Sequence, residues 1–264
     1  MKQSITKSST TIVTWNVNGI RAVAKKGFFE FLTKADPHIL CLQETKAHPD
    51  QVPPELRNPQ GRQGLWSAAQ RPGYSGTATF LKEKPDDVTY GIGVKKFDSE
   101  GRFVITDHDD FLLYNVYFPN GGSGDERQKF KMEFLKKFGE HLHEDIQKGR
   151  EVILVGDYNI AHADIDVYDS HKYTKTSGFL PEERAWFDHF LSLGFVDLFR
   201  HVHGDEKHRY TWWSYIEKGR IGNRGWRIDY ICATKGLLSR VKGCDIWDDV
   251  TGSDHCPVVC ELLS

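Results

Sequence analysis

Several apolar, β-branched runs of this sequence end in side chains that could handle a charged substrate. Residues 12–15 run into Asn16, residues 39–42 into Gln43 and Glu44, residues 114–116 into Tyr117, and residues 152–155 into Gly156, Asp157, Tyr158 and Asn159. Asp229 lies at the start of one further run, and Ser253, Asp254 and His255 immediately precede the last. Carboxylates, amides, a phenol and an imidazole on one edge would suit metal-assisted phosphoester chemistry: acids for a hard cation, a base for water, and donors for phosphate oxygens. Each position alone has a plain alternative. A Gly-Asp after a strand is commonly a turn, an acid before a histidine can be a turn or a cap, and a tyrosine at a strand end can simply pack. Their convergence carries the reading, because rigid strand ends hold several groups in place over one cleft.

The elements that must position these groups follow from the pattern. Residues 12–15, 39–42, 77–81, 103–106, 111–118, 152–155, 228–232 and 258–262 are short, β-branched or aromatic, and strand-like. Phe130, Phe134, Phe138, Leu142 and Ile146 recur every four residues between Asp125, a plausible N-cap, and Gly149, a stop, which predicts an amphipathic helix. A second helix starts at Pro181 and carries Trp186, Phe187, Phe190 and Leu191 before Gly194; a third covers residues 27–34, ahead of Pro37. At least eight strands with few long helices exceed what one half-buried sheet uses, so two sheets packed face to face with helices outside are expected.

The remaining composition bounds the class. With 39% hydrophobic and 27% charged residues, the 264-residue chain reads as an ordinary globule, large enough to bury a core without staples. No repeat, low-complexity tract or linker divides it, so residues 1–11 are expected to be a polar tail and residues 12–264 a single catalytic domain. No apolar run is long enough to span a bilayer and no signal-like segment opens the chain, so no membrane partner and an intracellular, cytoplasmic location are expected. Five cysteines without a Cys-x-x-Cys suggest neither a disulfide framework nor a thiolate zinc site. His201, His203 and His208 raise a zinc site by spacing, but surface histidines are the better reading.

A net charge of −2 argues mildly against a polyanion partner, yet residues 207–227 carry six basic side chains and one acid, interleaved with Tyr210, Trp212, Trp213, Tyr215 and Trp226. That segment fits a nucleic-acid surface or, equally, a solvated basic loop over core tryptophans.

Six ordered motifs across residues 12–263 resemble those of the exonuclease III family of abasic-site endonucleases, within the endonuclease/exonuclease/phosphatase superfamily: Trp15-Asn16-Val17-Asn18-Gly19-Ile20-Arg21, Leu42-Gln43-Glu44-Thr45-Lys46, Tyr117-Phe118-Pro119-Asn120, Gly156-Asp157-Tyr158-Asn159-Ile160-Ala161-His162, Gly225-Trp226-Arg227-Ile228-Asp229-Tyr230 and Gly252-Ser253-Asp254-His255-Cys256-Pro257. The resemblance implies a four-layered α/β sandwich of two mixed sheets flanked by helices. It implies Mg²⁺, with Mn²⁺ as a substitute, held by Glu44 with Asn16 and Asp254 nearby. Asp157 is implied to orient or deprotonate the attacking water, with Asn159 beside it. His255 would bond the scissile phosphate, Asp229 would fix its tautomer, and Tyr117 would donate to the phosphate or attacking group. Trp212, Trp226 and Ile228 match a pocket for a flipped-out base-free deoxyribose, and Asn120, Lys46, Arg71 and Arg184 match phosphate or loop contacts, although Arg184 could equally be an internal salt-bridge partner.

The implied partner is double-stranded DNA with abasic sites or 3′ ends, bound by a monomer. The implied reaction is hydrolysis of the phosphodiester 5′ to the lesion, leaving a 3′-hydroxyl and a 5′-deoxyribose phosphate, together with 3′ to 5′ exonuclease activity. Two departures stand out. Asn18 replaces an aspartate found in one branch, and Gly121-Gly122-Ser123-Gly124 offers no large basic side chain to the duplex. Competing readings are a phosphoinositide or sphingolipid phosphoesterase of the same superfamily and a DNA-binding protein without catalysis. The Gly-Trp-Arg-x-Asp motif and the aromatic-basic segment oppose the first, and the intact polar set opposes the second.

Overall fold

The computed structural model describes residues 9–263. Within them lie strands β1 (Ser9–Asn16), β2 (Ile39–Gln43), β3 (Gln63–Ser67), β4 (Thr77–Leu81), β5 (Asp87–Thr89), β6 (Phe103–Asp107), β7 (Leu112–Tyr117), β8 (Val152–Asp157), β9 (Phe195–Asp197), β10 (Trp212–Trp213), β11 (Gly225–Trp226), β12 (Asp229–Thr234), β13 (Val241–Ile246) and β14 (Val258–Leu263). Three longer helices are α1 (Phe28–Ala35), α2 (Asp125–Gln147) and α3 (Pro181–Ser192). Two six-stranded mixed sheets form, one in the order β13-β14-β1-β2-β4-β3 and the other β5-β6-β7-β8-β12-β9, with β10 and β11 as a separate two-stranded piece.

Alternation along the strands explains the layers. Ile12, Cys41, Leu113, Ile153, Val155 and Ile231 share a core between the sheets. Their neighbours point outward: Tyr114, Val116 and Leu154 meet Phe134 and Phe138 of α2 and Phe187 of α3, while Val13, Trp15 and Leu40 meet Phe28 and Leu32 of α1. Both faces of each sheet are therefore covered, and the protein is the α/β sandwich that eight strand-like runs implied.

Some boundaries differ from expectation. Ser9, Thr10 and Thr11 are not tail; they pair with Leu263, Leu262 and Glu261 across the β1–β14 ladder. The rest of the expected tail, residues 1–8, lies outside the described residues. Asp125 is the first residue of α2 rather than its cap, which is Gly124, and it joins Glu126 in the acidic first turn, favourable against the helix dipole. The buried face of α2 is also rotated from the predicted stripe: Lys131, Leu135, Gly139 and Asp145 are buried while Phe130 and Ile146 are only partly so. No helix among the described residues is long and apolar enough to cross a membrane.

Candidate active site

Strand register alone brings three of the polar residues together. β8 lies between β7, to which it is parallel, and β12, to which it is antiparallel, and Tyr117 and Asp229 are the residues opposite Asp157 on its two sides. Gly156 is required here, since a Cβ on it would fall 1.9 Å from the Val116 carbonyl oxygen. In the facing sheet Asn16 sits opposite Gln43, so Glu44 follows at the same edge. His255 arrives on the segment entering β14, where its carbonyl accepts from Trp15 Nε1 at 3.1 Å and the neighbouring Ser253 hydroxyl donates to the Asn16 carbonyl at 2.8 Å. Asn18, Glu44, Lys46 and Asn159 all have left-handed φ, between 47° and 51°. Such backbone gathers where surrounding contacts over-determine it, as at working sites.

The Asn16 amide links the two sheets at the cleft, beside the Gln43–Asn115 amide pair that links them deeper in the core. Asn16 Nδ2 donates to Glu44 Oε1 at 2.9 Å and to Asp157 Oδ2 at 2.8 Å. Lys46 Nζ lies 2.8 Å from the other Glu44 oxygen. His255 Nδ1 is 2.8 Å from Asp229 Oδ2, and its Nε2 is 3.9 Å from Asp157 Oδ2. Asn159 is fixed at several atoms: its backbone N–H donates to Asp157 Oδ1 at 2.8 Å, its Nδ2 to the Phe118 carbonyl at 3.0 Å, and its Oδ1 accepts from Asn120 Nδ2 at 2.9 Å. Beneath Tyr117 the buried Arg102 guanidinium lies 4.9 Å from the ring centroid and donates to the Tyr117 carbonyl at 2.7 Å.

Burial and neighbouring charge separate the acids. Burial, reinforced by the Asp229 carboxylate, pushes the Asp157 carboxyl up to about 7. Burial also disfavours the His255 cation, but Asp229, Asp157 and Asp254 outweigh it and raise the imidazole to about 10. Glu44 is held below the usual carboxylate range, because Lys46, the Asn16 amide and His255 together overcome its burial. Burial and the Glu44 and Asp157 charges keep the Tyr117 phenol protonated, so it remains a donor.

The cleft has a volume of about 380 Å³ and runs from Glu44, Asp157 and His255 to the apolar surfaces of Trp212, Trp226 and Ile228. Trp226 packs edge-on to Trp212, with ring centroids 6.3 Å apart, and Gly178 closes on it so tightly that a Cβ there would stand 3.2 Å from the indole. Tyr168 and Tyr173, whose hydroxyls bond each other at 2.9 Å, line the same cleft. They belong to no motif, and nothing in the sequence pointed to them.

Other expected residues fall differently. Ligand atoms of Glu44, Asp157 and His255 lie within 4.8 Å of one another, the only such acidic or imidazole cluster among the described residues. Asp254 lines the cleft outside that cluster, its carboxylate accepting from Asn18 Nδ2 at 2.9 Å and Trp212 Nε1 at 3.1 Å. Asn16 acts as a donor between two carboxylates, and its Oδ1 accepts from the Asn18 N–H. Arg184 Nε donates to the His162 carbonyl at 2.8 Å and its Nη2 pairs with the exposed Asp164 at 3.1 Å. Arg71 stacks over Tyr74 on a flanking cleft.

The basic segment is less basic at its surface than its composition. Arg227 is buried between Asp166 and Asp197, Arg209 pairs with Glu206 and Asp245, and Arg220 donates to the carbonyls of Asp248 and Val250. His203, one of the zinc-like histidines, bonds the Cys244 carbonyl at 2.8 Å.

A family model described as endonuclease/exonuclease/phosphatase matches residues 13–255. The chain is 42% identical over 248 residues to an exodeoxyribonuclease of Bacillus subtilis (strain 168), spanning 94% of this chain and 97% of that one. It is 37% identical over 257 residues to a DNA-(apurinic or apyrimidinic site) endonuclease of Dictyostelium discoideum, spanning 96% and 71%. Among solved structures it is similar to an AP endonuclease from Archaeoglobus fulgidus, with a TM-score of 0.86, 30% identity and coverage of 95% and 98%.

Proposed function

The chain belongs to the endonuclease/exonuclease/phosphatase family and is a DNA repair nuclease of the abasic-site endonuclease and exonuclease kind; we propose that it hydrolyses the phosphodiester 5′ to an abasic site. The observation that carries this reading is the direct continuity of the Glu44, Asp157 and His255 cluster with the apolar wall of Trp212, Trp226 and Ile228. A base-free sugar can leave the stack cheaply and enter such a pocket, placing its own 5′ phosphate against the polar groups. Residues 12–264, which Ser9, Thr10 and Thr11 join through β1, are read as one catalytic domain that works on duplex DNA as a monomer, with 3′ ends as a second substrate.

The family is divalent-metal dependent, and a set dominated by carboxylate oxygens suits a hard cation. Glu44 would hold Mg²⁺, or Mn²⁺ in its place, with Asn16 and Asp254 around it. When bound, the ion supplies positive charge to the phosphate and to the departing oxygen.

The remaining work falls to the chain's own groups. Asp157, whose carboxyl titrates near neutrality, accepts a proton from the attacking water, and Asn159 helps to hold that water. His255, kept cationic by Asp229, donates from Nε2 to a phosphate oxygen, and the protonated Tyr117 hydroxyl donates beside it. Asn120 supports Asn159, while Lys46 and Arg71 meet the flanking backbone charge. Water oxygen bonds to phosphorus as the bond to the upstream 3′ oxygen breaks, leaving a 3′-hydroxyl and a 5′-phosphate on the abasic sugar.

Incubation with an end-labelled duplex carrying one stable abasic analogue, with Mg²⁺ or EDTA and beside an undamaged duplex, tests this. Metal-dependent incision immediately 5′ to the analogue is expected. Cleavage of soluble phosphoinositides without DNA incision would reverse the assignment.

A further inference from the structure

α2 and α3 meet over a buried ion pair that reaches the catalytic loop from behind. Lys131 and Glu183 are both 0% exposed, and Lys131 Nζ lies 2.6 Å from Glu183 Oε1. The same ammonium donates to the Asn159 carbonyl at 2.7 Å. Glu183 accepts in turn from Gln128 and Ser177 on one oxygen, and from the backbone N–H groups of Gly178 at 2.6 Å and Leu180 at 3.0 Å on the other. One carboxylate and one ammonium thus join two helices to two loops.

Burial of such a pair is poorly explained by stability, since apolar residues of similar volume commonly serve as well or better. What this pair does that an apolar pair cannot is fix a backbone carbonyl. Asn159 sits at φ 51°, in the left-handed region that Asn enters more readily than other side-chain-bearing residues, and contacts at each of its polar atoms fix it there. Its N–H, Nδ2 and Oδ1 are bonded to Asp157, Phe118 and Asn120, at and just beyond the ends of β8 and β7; its carbonyl alone is held from the helical layer. The loop at Gly178, tied by Glu183, is the one that packs against Trp226.

We propose that Lys131 and Glu183 are a positioning pair for the reaction: Lys131 sets the orientation of Asn159 through its carbonyl, and Glu183 holds Lys131 while fixing the pocket loop. This rests on the abasic-site reading for its assay, though the geometry stands apart from it. Neither residue touches substrate, so both act through others.

The test is a double-mutant cycle on single-turnover incision of an abasic duplex, with duplex affinity measured in parallel. Lys131→Met is expected to slow incision about tenfold or more, as small misplacements of reacting groups do, with affinity changed less than about threefold. In an Asn159→Ala background, adding Lys131→Met is expected to slow incision by less than about twofold, because the group it positions is gone. Since Lys131→Met leaves Glu183 buried without its cation, Lys131→Met/Glu183→Gln is run beside it. That variant removes both charges and retains an acceptor for the loop N–H groups, and the same pattern is expected. An undiminished rate in the folded double variant, or a full additive loss on top of Asn159→Ala, overturns the proposal. Failure of the unaltered protein to incise the duplex instead overturns the functional reading.

Discussion

Asp157 and Asp229 stand directly opposite each other on β8 and β12, and the His255 imidazole bridges them, with Nδ1 2.8 Å from Asp229 and Nε2 3.9 Å from Asp157. Two buried acids opposite each other would repel; the intervening ring converts that repulsion into a division of roles. Asp229, bonded to Nδ1, keeps the ring charged and aims Nε2 into the cleft. Asp157, whose carboxyl is pushed up to about 7, is the proposed proton acceptor.

Asp229→Asn therefore removes the charge that sustains the cation while keeping the shape. Incision at saturating DNA is expected to fall about 100-fold or more, as when an orienting acid is neutralised in other His-dependent sites. Duplex affinity should change little. Single-turnover rates and a binding titration on the same variant check both, and an equal loss in affinity would contradict the role.

Glu44 and Asp254 should separate under metal titration. Because Glu44 belongs to the clustered ligand atoms and Asp254 is engaged by Asn18 and Trp212, Glu44→Gln is expected to raise the Mg²⁺ concentration for half-maximal incision about tenfold or more, and Asp254→Asn to raise it less. EDTA should abolish incision by the unaltered protein, and added Mg²⁺ should restore it.

The apolar wall should govern discrimination. Trp226 is packed by Phe179, Tyr173, Trp212 and the Gly178 backbone, so Trp226→Ala opens the pocket toward a normal nucleotide. The ratio of kcat/KM for abasic over undamaged duplex is expected to drop about tenfold or more, within the range that apolar pocket contacts confer. Competition between the two duplexes measures that ratio directly.

Asp166 provides an acid-sensitive support behind the site. It is fully buried, 2.7 Å from Arg227 and 2.6 Å from Arg200, and although burial opposes its charge, these guanidinium groups hold its carboxyl below the ordinary value of 3.8. A depressed folded-state pKa gives stability that is present above the unfolded value and lost as pH falls through the folded one. Asp166→Asn is expected to cost about 3 kcal/mol or more at pH 7, since Arg227 loses a buried partner. The gap between the two proteins should narrow below about pH 4, where the unaltered protein loses the same contribution. Denaturant unfolding at pH 7 and pH 3 checks it.

These residues show what a linear reading could see. Asn16, Glu44, Tyr117 and Asp157 were legible because each ends a buried, β-branched strand, and two sheets were legible because such strands were numerous. Short or partly exposed strands such as β3, β5, β9 and β13 lack that pattern; Gly64 and Gly243 interrupt two of them, and only their neighbours in the sheet define them. Charge was the less readable property. Arg227 counted toward a basic surface, yet its partners Asp166 and Asp197 are distant in sequence and draw it inside. Lys131 lies off the predicted apolar stripe of α2, and only α3 behind it shows why a lysine is buried there. The clustered ligand atoms of Glu44, Asp157 and His255 share only Glu44 with the implied metal set, for a similar reason: Asn18, an amide, binds Asp254, whereas the direction of the Asn16 side chain is a tertiary fact.

The most direct test of the central claim is incision of an abasic duplex in ¹⁸O-labelled water with Mg²⁺, followed by mass analysis of both fragments. Hydrolysis at the site built by Asp157 and His255 predicts one ¹⁸O in the 5′-phosphate of the abasic fragment, an unlabelled 3′-hydroxyl on the other, and loss of turnover in Asp157→Asn. Strand cleavage without label, ending in an unsaturated 3′ sugar, would contradict it.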